Sequence, residues 1–234
     1  MSLLAQAWQW LIDAQQYSGD GSIPIRLLEH LCFTFAALGL ATLIAIPLGY
    51  FIGHTGRGAL WVVGITGAAR ALPSFGLMLL LVLVLGVSTR WWAAILALVI
   101  LAIPPLIAGA YAGVQQIPRT TIDAARAQGM TEWQILFHVE VPLSMPLVFG
   151  GLRGATLQVV ATVTLVAYVG LGGLGYEIIQ GIPLRRFDQT IGTAIVIVAL
   201  ALVLDALLAF ATKLSVPKGV SAGRLADVRA KDAG

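Results

Sequence analysis

The residues that could carry out chemistry are few in this sequence, and they do not stand in a catalytic pattern. Its three histidines, His30, His54 and His138, are far apart, and no metal-binding spacing of Cys with His occurs. Two serines near prolines, Ser74 and Ser144, have no His and Asp arranged as in known nucleophile motifs. We therefore expect no metal, no other cofactor and no enzymatic activity.

A glycine-rich segment, Gly170–Gly175 (GLGGLG), formally fits the G-x-G-x-x-G pattern of dinucleotide-binding proteins. That pattern binds a pyrophosphate only when it follows a strand and opens a helix, whereas here an apolar span precedes it. The G-x-x-x-x-G-K-[ST] pattern of ATP-binding loops does not occur. We interpret the glycines as a tight turn on the outer side, which allows close packing of spans or approach of a partner. Any energy from ATP must then come from another subunit.

Three charged residues interrupt apolar stretches: Arg70, Arg153 and Asp205. A charge in the middle of a membrane costs about 2.5–3.5 kcal/mol on insertion scales, so each needs a partner or a role. Asp205 could form a coupling-ion or substrate site, or it could make a structural contact to a helix end or an arginine. We favour the structural contact because nothing else suggests a proton relay. For the two arginines we favour packing or snorkelling to the interface.

The composition places these residues in an integral membrane protein. Of the 234 residues, 59% are hydrophobic and 11% are charged, whereas a soluble domain carries about 25% charged residues. A single cysteine, Cys32, excludes an intrachain disulfide. The net charge of +3 is small, and we expect a membrane but no nucleic acid among the partners.

The apolar segments predict five transmembrane helices, because about 20 residues cross a hydrocarbon core of about 30 Å. The predicted spans are residues 31–52, 58–89, 91–115, 146–168 and 189–212. We interpret the second as one long span kinked near Pro73, with two short half-helices as the alternative. The third contains Pro104 and Pro105, which should bend it and free carbonyls that neighbouring helices must satisfy.

The segments outside the spans complete the domain organisation. Residues 1–22 are an N-terminal interfacial segment, in which Trp8 and Trp10 favour a short helix at the membrane interface, with a frayed tail as the equal alternative. Residues 23–214 are the transmembrane domain, with a polar loop at 118–142. Residues 215–234 lack an apolar face and are predicted to be a flexible tail.

The distribution of Lys and Arg orients the spans. With five spans the two ends lie on opposite sides. The side of the tail holds Arg57, Arg119, Arg126, Lys213, Lys218, Arg224, Arg229 and Lys231, with Arg153 near the boundary, and the other side holds Arg26, Arg90, Arg185 and Arg186. The positive-inside rule therefore predicts an outer N-terminus, a cytoplasmic C-terminus and a cytoplasmic polar loop.

The longest polar stretch between apolar ones, 120–142, predicts two short helices at an angle. Thr120 stands three residues before Asp123, and Thr131 stands three residues before Gln134. This is the spacing of a capping box, in which two side chains satisfy free amide hydrogens at the start of a helix. Both threonines are therefore predicted helix caps.

The joint and the faces of these two helices follow from their other residues. Gly129 lies at the joint, where a backbone without Cβ can turn, and Pro142 is expected to end the second helix. One apolar face is predicted from residues at helical spacing, namely Ile122, Ala125, Gly129, Trp133 and Leu136. The small residues Ala124, Ala125 and Gly129 leave room for close approach by another surface.

This stretch resembles the cytoplasmic coupling loop of the permeases of ABC importers. The motif of that family is Glu-Ala-Ala, three residues, Gly, nine residues, then Ile-x-Leu-Pro. Every spacing is kept here, and the positions are held by Asp123, Ala124, Ala125, Gly129, Val139, Glu140, Val141 and Pro142. Asp replaces Glu and Val replaces Ile and Leu, so charge sign or apolar character is retained. The alternative, an amphipathic helix on the membrane surface, does not need these positions together.

The resemblance covers roughly residues 25–215 and implies the all-α type I ABC importer permease fold with five transmembrane helices. It implies a bacterial inner-membrane protein that pairs with a second permease, identical or paralogous, on a cytoplasmic dimer of ABC ATPases. An extracellular or periplasmic binding protein would deliver the substrate. The ATPase-coupling residues would be Asp123, Ala124, Ala125, Gly129, Val139, Val141 and Pro142. Closure of the ATPases would then rock the permeases from inward-open to outward-open.

Three further features are similar to the permeases that import osmoprotectants such as glycine betaine, choline and carnitine. They are Leu72–Phe75 (LPSF), Pro104-Pro105 and the Gly170–Gly175 turn. Methionine and phosphonate permeases share the Gly-Gly-Leu-Gly sequence and remain the alternative. An ion-coupled secondary transporter is a further alternative, but it predicts inverted repeats and five spans do not divide equally. A membrane-embedded enzyme is disfavoured because paired catalytic residues are missing.

Overall fold

The computed structural model describes residues 2–215, except Trp61, Val63, Ile65 and residues 68–72. The predicted tail beyond Ser215 lies outside the described residues, and so do Arg70 and Leu72 of the predicted second span. The α-helices with described bounds are α1 (Leu3–Ile12), α2 (Ile23–Thr55), α3 (Ser74–Leu85), α4 (Arg90–Gln115), α5 (Arg119–Ala127), α6 (Glu132–Ile135), α7 (Val141–Val163), α8 (Gly175–Gly181) and α9 (Phe187–Ser215), and the described residues between 59 and 67 are helical as well. Short 3-10 helices at Ala14–Tyr17, Val87–Thr89 and Thr164–Val169 and a π-helical turn at Leu136–Glu140 join them.

Four of the helical stretches are long and apolar enough to cross a membrane. They are Ile23–Thr55, Val87–Gln115, Glu132–Val169 and Phe187–Ser215. Each contains a predicted span, although α2 begins eight residues before residue 31, with Pro24 in its first turn. The described residues are therefore all-α, as predicted, and include four helices long and apolar enough to cross a membrane.

The predicted second span differs from the structure. Helix α3 begins directly after Pro73 and ends at Leu85, because Gly86 leaves the helical conformation at φ +95°. Its 12 residues extend about 18 Å at 1.5 Å per residue, which is shorter than a bilayer core. A break at Pro73 agrees with the alternative of two half-helices, and the count of five spans is not confirmed.

Helix α4 is the centre of the fold and packs against α2, α3 and α7. Small residues let these helices approach closely. A Cβ on Gly49 of α2 would stand 2.6 Å from the Cβ of Ala110, and one on Gly109 would stand 2.9 Å from the Cα of Gly151 in α7. The buried face of α4 can therefore lie almost backbone to backbone with its neighbours.

The prediction that Pro142 ends a helix is wrong, because the chain is helical from Glu132 to Val169. A proline inside an α-helix clashes with the carbonyl four residues earlier. Here the preceding turn, Leu136–Glu140, is π-helical, and the Val141 amide donates to the Leu136 carbonyl five residues back. This wider turn makes room for the ring, and Pro142 occupies the first turn of α7.

The N-terminal segment is helical rather than frayed. The Ser2 hydroxyl accepts a hydrogen bond from the Ala5 amide at 3.3 Å and so caps α1. Helix α1 packs against α9, where Trp10 lies directly over Gly192. A position at the membrane interface stays a prediction.

Candidate functional site

The polar loop forms two short helices, α5 and α6, that meet at Gly129. The Met130 amide donates to the Ala125 carbonyl at 3.2 Å, and the Gly129 amide donates to the Arg126 carbonyl at 2.9 Å. These two bonds form a Schellman motif, which ends a helix with a residue in the left-handed conformation. Gly129 has φ +82°, and a Cβ there would meet nothing within 4 Å. Backbone conformation alone therefore favours glycine at this joint.

One of the two predicted caps is present. The Thr131 hydroxyl accepts from the Gln134 amide, and the Gln134 side chain accepts from the Thr131 amide at 2.8 Å, so the capping box is complete. Thr120 is not a cap, because α5 begins at Arg119, directly after Pro118. The fixed φ of Pro118, −56°, starts the helix two residues earlier than a Thr120 cap requires.

An ion pair fixes the angle between α5 and α6. The Arg126 guanidinium donates two hydrogen bonds to the Glu132 carboxylate, at 2.9 and 3.1 Å, and its Nη1 lies 3.7 Å from Asp123. The hydrogen bond to Glu132, followed by the charge of Glu132, raises the pKa of Arg126, so the guanidinium stays charged. A bidentate pair restricts both distance and orientation, although at an exposed site its contribution to stability is small.

The inward face of the loop is apolar. Its buried residues are Ile117, Ile122, Ala125 and Ile135, and Met130, Val139 and Leu143 pack against them. The predicted apolar face is therefore correct for Ile122 and Ala125, whereas Leu136 is buried in a separate apolar cluster against α2 and α4. It is wrong for Trp133, which is 71% exposed, and for Gly129, which lies in open space. The joint rotates α6, so helical spacing does not continue across it.

A hydrogen bond between two side chains ties the loop to the end of α2. The carboxylate of Glu140 is on the π-helical turn and only 5% exposed, and it lies 2.6 Å from Nδ1 of His54. Nε2 of His54 lies 3.6 Å from Glu132, which also binds Arg126. Asp123, Arg126, Glu132, His54 and Glu140 thus form a chain of polar contacts, the hinge network, from α5 to the last turn of α2.

Sequence motifs did not identify the hinge network. Glu140 occupies the variable position of Val-x-Val-Pro, and His54 is 86 residues away. A carboxylate between apolar residues was the available signal, because such a group needs a partner.

The outward face of the loop combines small, charged and aromatic residues. Asp123 and Ala124 are exposed on α5. Trp133 and Phe137 stack with their ring centres 6.0 Å apart, and both are more than half exposed. They border an apolar groove of 620 Å³ against α2, whose other walls include Ile46, Pro47, Tyr50, Phe51, Leu136 and Val141. The loop therefore exposes small, charged and aromatic side chains that another protein can contact.

The predicted coupling residues are brought together on this loop, but they play different structural parts. Asp123, Ala124, Gly129 and Pro142 are exposed, Ala125 is buried in the inward face, and Val139 and Val141 are partly buried. Ala125 can therefore support the surface rather than contribute a side chain to it. Their role in coupling stays a prediction.

The charged residues inside the spans include one pair. Arg153 of α7 donates to both carboxylate oxygens of Asp205 in α9, at 2.8 and 2.7 Å. The expectation of a structural contact between Asp205 and an arginine is confirmed. A mutual pair lowers the cost that either charge would carry alone in a membrane.

The glycine-rich turn lies at the opposite end of α2 from the polar loop. The Glu29 carboxylate accepts from the Gly173 amide at 2.7 Å, and a Cβ on Gly172 would overlap that carboxylate. Glu29 and His54 are 25 residues apart on one helix, about 37 Å at 1.5 Å per residue. The predicted tight turn with close packing is confirmed, and it is not a strand-to-helix nucleotide loop.

Four apolar helices long enough to cross a bilayer indicate a multi-pass membrane protein. Residues 45–218 match the family described as "Binding-protein-dependent transport system inner membrane component". The chain belongs to this family, and it is therefore a multi-pass membrane permease of the ABC importer type.

The chain is also similar to proteins with assigned substrates. It is 33% identical over 184 residues to the carnitine transport permease protein OpuCB of Listeria monocytogenes, which covers 79% of this chain and 84% of that protein. It is 30% identical over 203 residues to the glycine betaine/carnitine/choline transport system permease protein OpuCB of Bacillus subtilis, with 87% and 93% covered. These relatives agree with the predicted osmoprotectant branch.

A solved structure shows the same fold. The inward-facing MetNI methionine ABC transporter aligns with a TM-score of 0.71 at 22% identity, over 81% of this chain and 94% of that one. At this identity the likeness shows the architecture and does not identify the substrate.

Proposed function

We propose that this chain is the permease subunit of an ATP-driven importer of small quaternary amines such as glycine betaine, carnitine or choline. The relatives named for these compounds share about 30% of their residues with nearly the whole chain, which supports the substrate class. A methionine or phosphonate substrate is the alternative that the glycine-rich turn alone leaves open.

The observation that carries the proposal is the construction of the polar loop. Its outward face is exposed, while its inward face is apolar and packed. The joint is fixed by a Schellman motif and by the bidentate Arg126–Glu132 pair. Such a loop can move as one body when a neighbouring subunit pushes it. We propose that Asp123, Ala124 and Gly129 contact the ABC ATPase.

The hinge network supplies the path from the loop to the spans. Glu140 is buried and hydrogen-bonded to His54, so a displaced loop displaces the last turn of α2. Helix α2 packs against α4 and α7, and the movement therefore reaches both. Closure of an ATPase dimer then drives alternating access as rigid-body rotation of two permeases. The second permease is a copy of this chain or a paralogue, and a binding protein delivers the substrate from outside.

We propose that the polar loop faces the cytoplasm and the N-terminus faces outward. Helix α9 runs from the end of the glycine-rich turn, where Gln189 bonds Glu177, past Asp205 to Ser215. The polar loop, residues 119–142, therefore lies toward the same end of the molecule as Ser215, after which the basic tail follows. This agrees with the excess of Lys and Arg predicted for the cytoplasmic side.

Replacement of Ala124 with tryptophan tests the coupling surface. The side chain is exposed on α5, so the chain should fold, but the added volume should prevent the ATPase from docking. We expect copurification of the ATPase and substrate-stimulated ATP hydrolysis in liposomes to fall at least tenfold. The matched control is Ala14→Trp, an exposed position near the opposite end. Equal hydrolysis in both variants would remove the coupling assignment.

Uptake tests the substrate class separately. The complete transporter in liposomes should accumulate labelled glycine betaine in an ATP-dependent manner, and excess carnitine should compete whereas methionine should not. Uptake of methionine in place of betaine would move the chain to the alternative branch without affecting the coupling proposal.

A further inference from the structure

Helices α4 and α7 border a small groove close to their tightest contact. This contact is set by Gly109 and Gly151, which lie almost backbone to backbone. The groove, here called the proline groove, has a volume of 190 Å³ and is lined by Leu101, Pro104, Pro105, Ala108, Gly154 and Gln158. Drug-sized ligands need about 300–1,000 Å³, so this space suits a more compact molecule.

The proline groove has polar atoms among its mostly apolar lining, although it lies near the middle of two spans. Pro104 and Pro105 have no amide hydrogen, so the carbonyls of Ile100 and Leu101 lose their usual donors four residues later. Gln158 is exposed on α7, and none of the described residues bonds its side-chain amide. Free carbonyls and a free amide are costly against lipid, and spans tolerate them where they line a water-filled cavity.

The remaining polar neighbour does not compete for a ligand. Thr66 borders the proline groove, but its hydroxyl donates to the Val62 carbonyl at 2.7 Å. None of the described residues that line the proline groove is charged. Arg153, on the same helix as Gln158, is paired with Asp205 and does not line the groove. Gln158 is therefore the donor that a ligand would meet.

We propose that the proline groove is a substrate subsite within the translocation pathway and that it takes a zwitterion with a quaternary ammonium group and a carboxylate. The Gln158 amide donates to the carboxylate, which makes a charge-assisted hydrogen bond. The carbonyl-rich wall near Leu101 faces the ammonium group with partial negative charge. A site without charged side chains suits a ligand without net charge, because neither partner is left with an uncompensated charge. This inference rests on the proposed function of the chain.

The test uses the complete transporter in liposomes, with loaded binding protein at saturation, and measures betaine transported per ATP hydrolysed. Gln158→Leu removes the donor, and the loss of a hydrogen bond to a charged group should lower this ratio about tenfold. Gln158→Glu keeps the shape but repels the carboxylate, so it should lower the ratio at least as far. Stimulated ATP hydrolysis should stay within about twofold in both variants, because the polar loop is unchanged. The control is Leu157→Ala on the neighbouring, apolar position of α7.

A second pair of variants tests the space rather than the donor. Gly154→Leu should fill the groove, since a Cβ there meets only the Cβ of Pro105 at 3.9 Å, and betaine per ATP should fall about tenfold. Gly150→Leu makes the same change one turn away, where nothing lies within 4 Å, and should leave the ratio unchanged.

The outcomes separate this inference from the function on which it rests. Unchanged betaine per ATP in both Gln158 variants overturns the subsite while the importer stands. Failure of the Gln158 or Gly154 variants to assemble with the second permease also overturns it, because the groove is then a contact between subunits. A wild-type protein without ATP-driven betaine uptake contradicts the proposed function itself.

Discussion

The two ends of helix α2 hold their loops by different means. At the glycine-rich end, the Glu29 carboxylate bonds directly to the backbone of the turn at Gly173, and Gly172 and Gly175 leave no room for a side chain. At the other end, the polar loop is held by contacts between side chains, above all His54 with Glu140. Its joint glycine, Gly129, has open space around it.

This difference shows that glycine serves two physical purposes in one chain. In the glycine-rich turn it permits contact, so any larger side chain must displace a neighbour. In the polar loop it permits a left-handed backbone, and the cost of substitution is conformational strain. The polar loop is held by side-chain contacts on its inner side, so its outer surface stays free for a partner. The glycine-rich turn is held through its backbone and is part of the packed fold.

The largest effect should come from Glu140→Ala. The change removes the buried hydrogen bond between Glu140 and His54, and leaving a buried polar group unsatisfied costs about 1–3 kcal/mol, and more for a charged group. Unfolding of the purified chain by denaturant measures it. The control is Glu132→Ala, whose pair with Arg126 is exposed to solvent and should contribute much less. Similar losses in both variants would show that burial does not distinguish the two pairs.

Gly175→Ala should have the next largest effect. The added Cβ would overlap the carbonyl oxygen of Thr164, a backbone atom that cannot rotate away. Overpacking of this kind costs about 1–3 kcal/mol. The same unfolding measurement applies, with Gly150→Ala as the control because a Cβ there meets nothing. If Gly175→Ala is as stable as Gly150→Ala, tight packing is not the reason for glycine at position 175.

Gly129→Ala should cost less and for another reason. The left-handed conformation costs a residue with a Cβ about 1–2 kcal/mol, and no clash adds to it. Gly129→Asn should recover part of that loss, because asparagine tolerates the C-terminal position of a Schellman motif. Thermal unfolding of the three proteins gives the order Gly, Asn, Ala. An equal loss for Asn and Ala would point to steric contact at the joint instead.

The smallest effect should be a dependence on pH at the glycine-rich end. Burial raises the pKa of Glu177 above 4.5, against the opposing charge of Arg26 and a hydrogen bond from Gln189. The folded state then holds this proton more tightly than the unfolded state does. The contribution to stability is therefore greatest at low pH and is lost as pH rises from about 4.5 through the raised pKa.

Glu177→Gln checks this sign. The variant should show a flatter dependence of the unfolding temperature on pH in that range, measured side by side with the wild type. Asp188→Asn on the neighbouring helix serves as the control for loss of a carboxylate. A steeper dependence in Glu177→Gln would mean that the charged form is the one that stabilises the fold.

Local chemistry made a large part of the architecture predictable. Four spans follow from uninterrupted apolar length, and the Thr131 cap and the Gly129 joint follow from residue type. The errors arose where two local signals competed. Pro142 normally stops a helix, but a π-helical turn accommodates it. Helical spacing placed Trp133 on the buried face, but the joint at Gly129 changes the direction of the helix.

The sequence by itself determined that this chain is a membrane protein with a bent polar loop between two spans. Apolar length, turn residues and caps act over a few neighbouring positions, and all of them can be recognised without a fold. Only the tertiary structure decided which distant charges meet. His54 with Glu140 and Arg153 with Asp205 are 86 and 52 residues apart, and their contact depends on how the helices pack. The proline groove is likewise a product of packing, since its lining residues come from α4, from α7 and from Thr66, which are far apart in the chain.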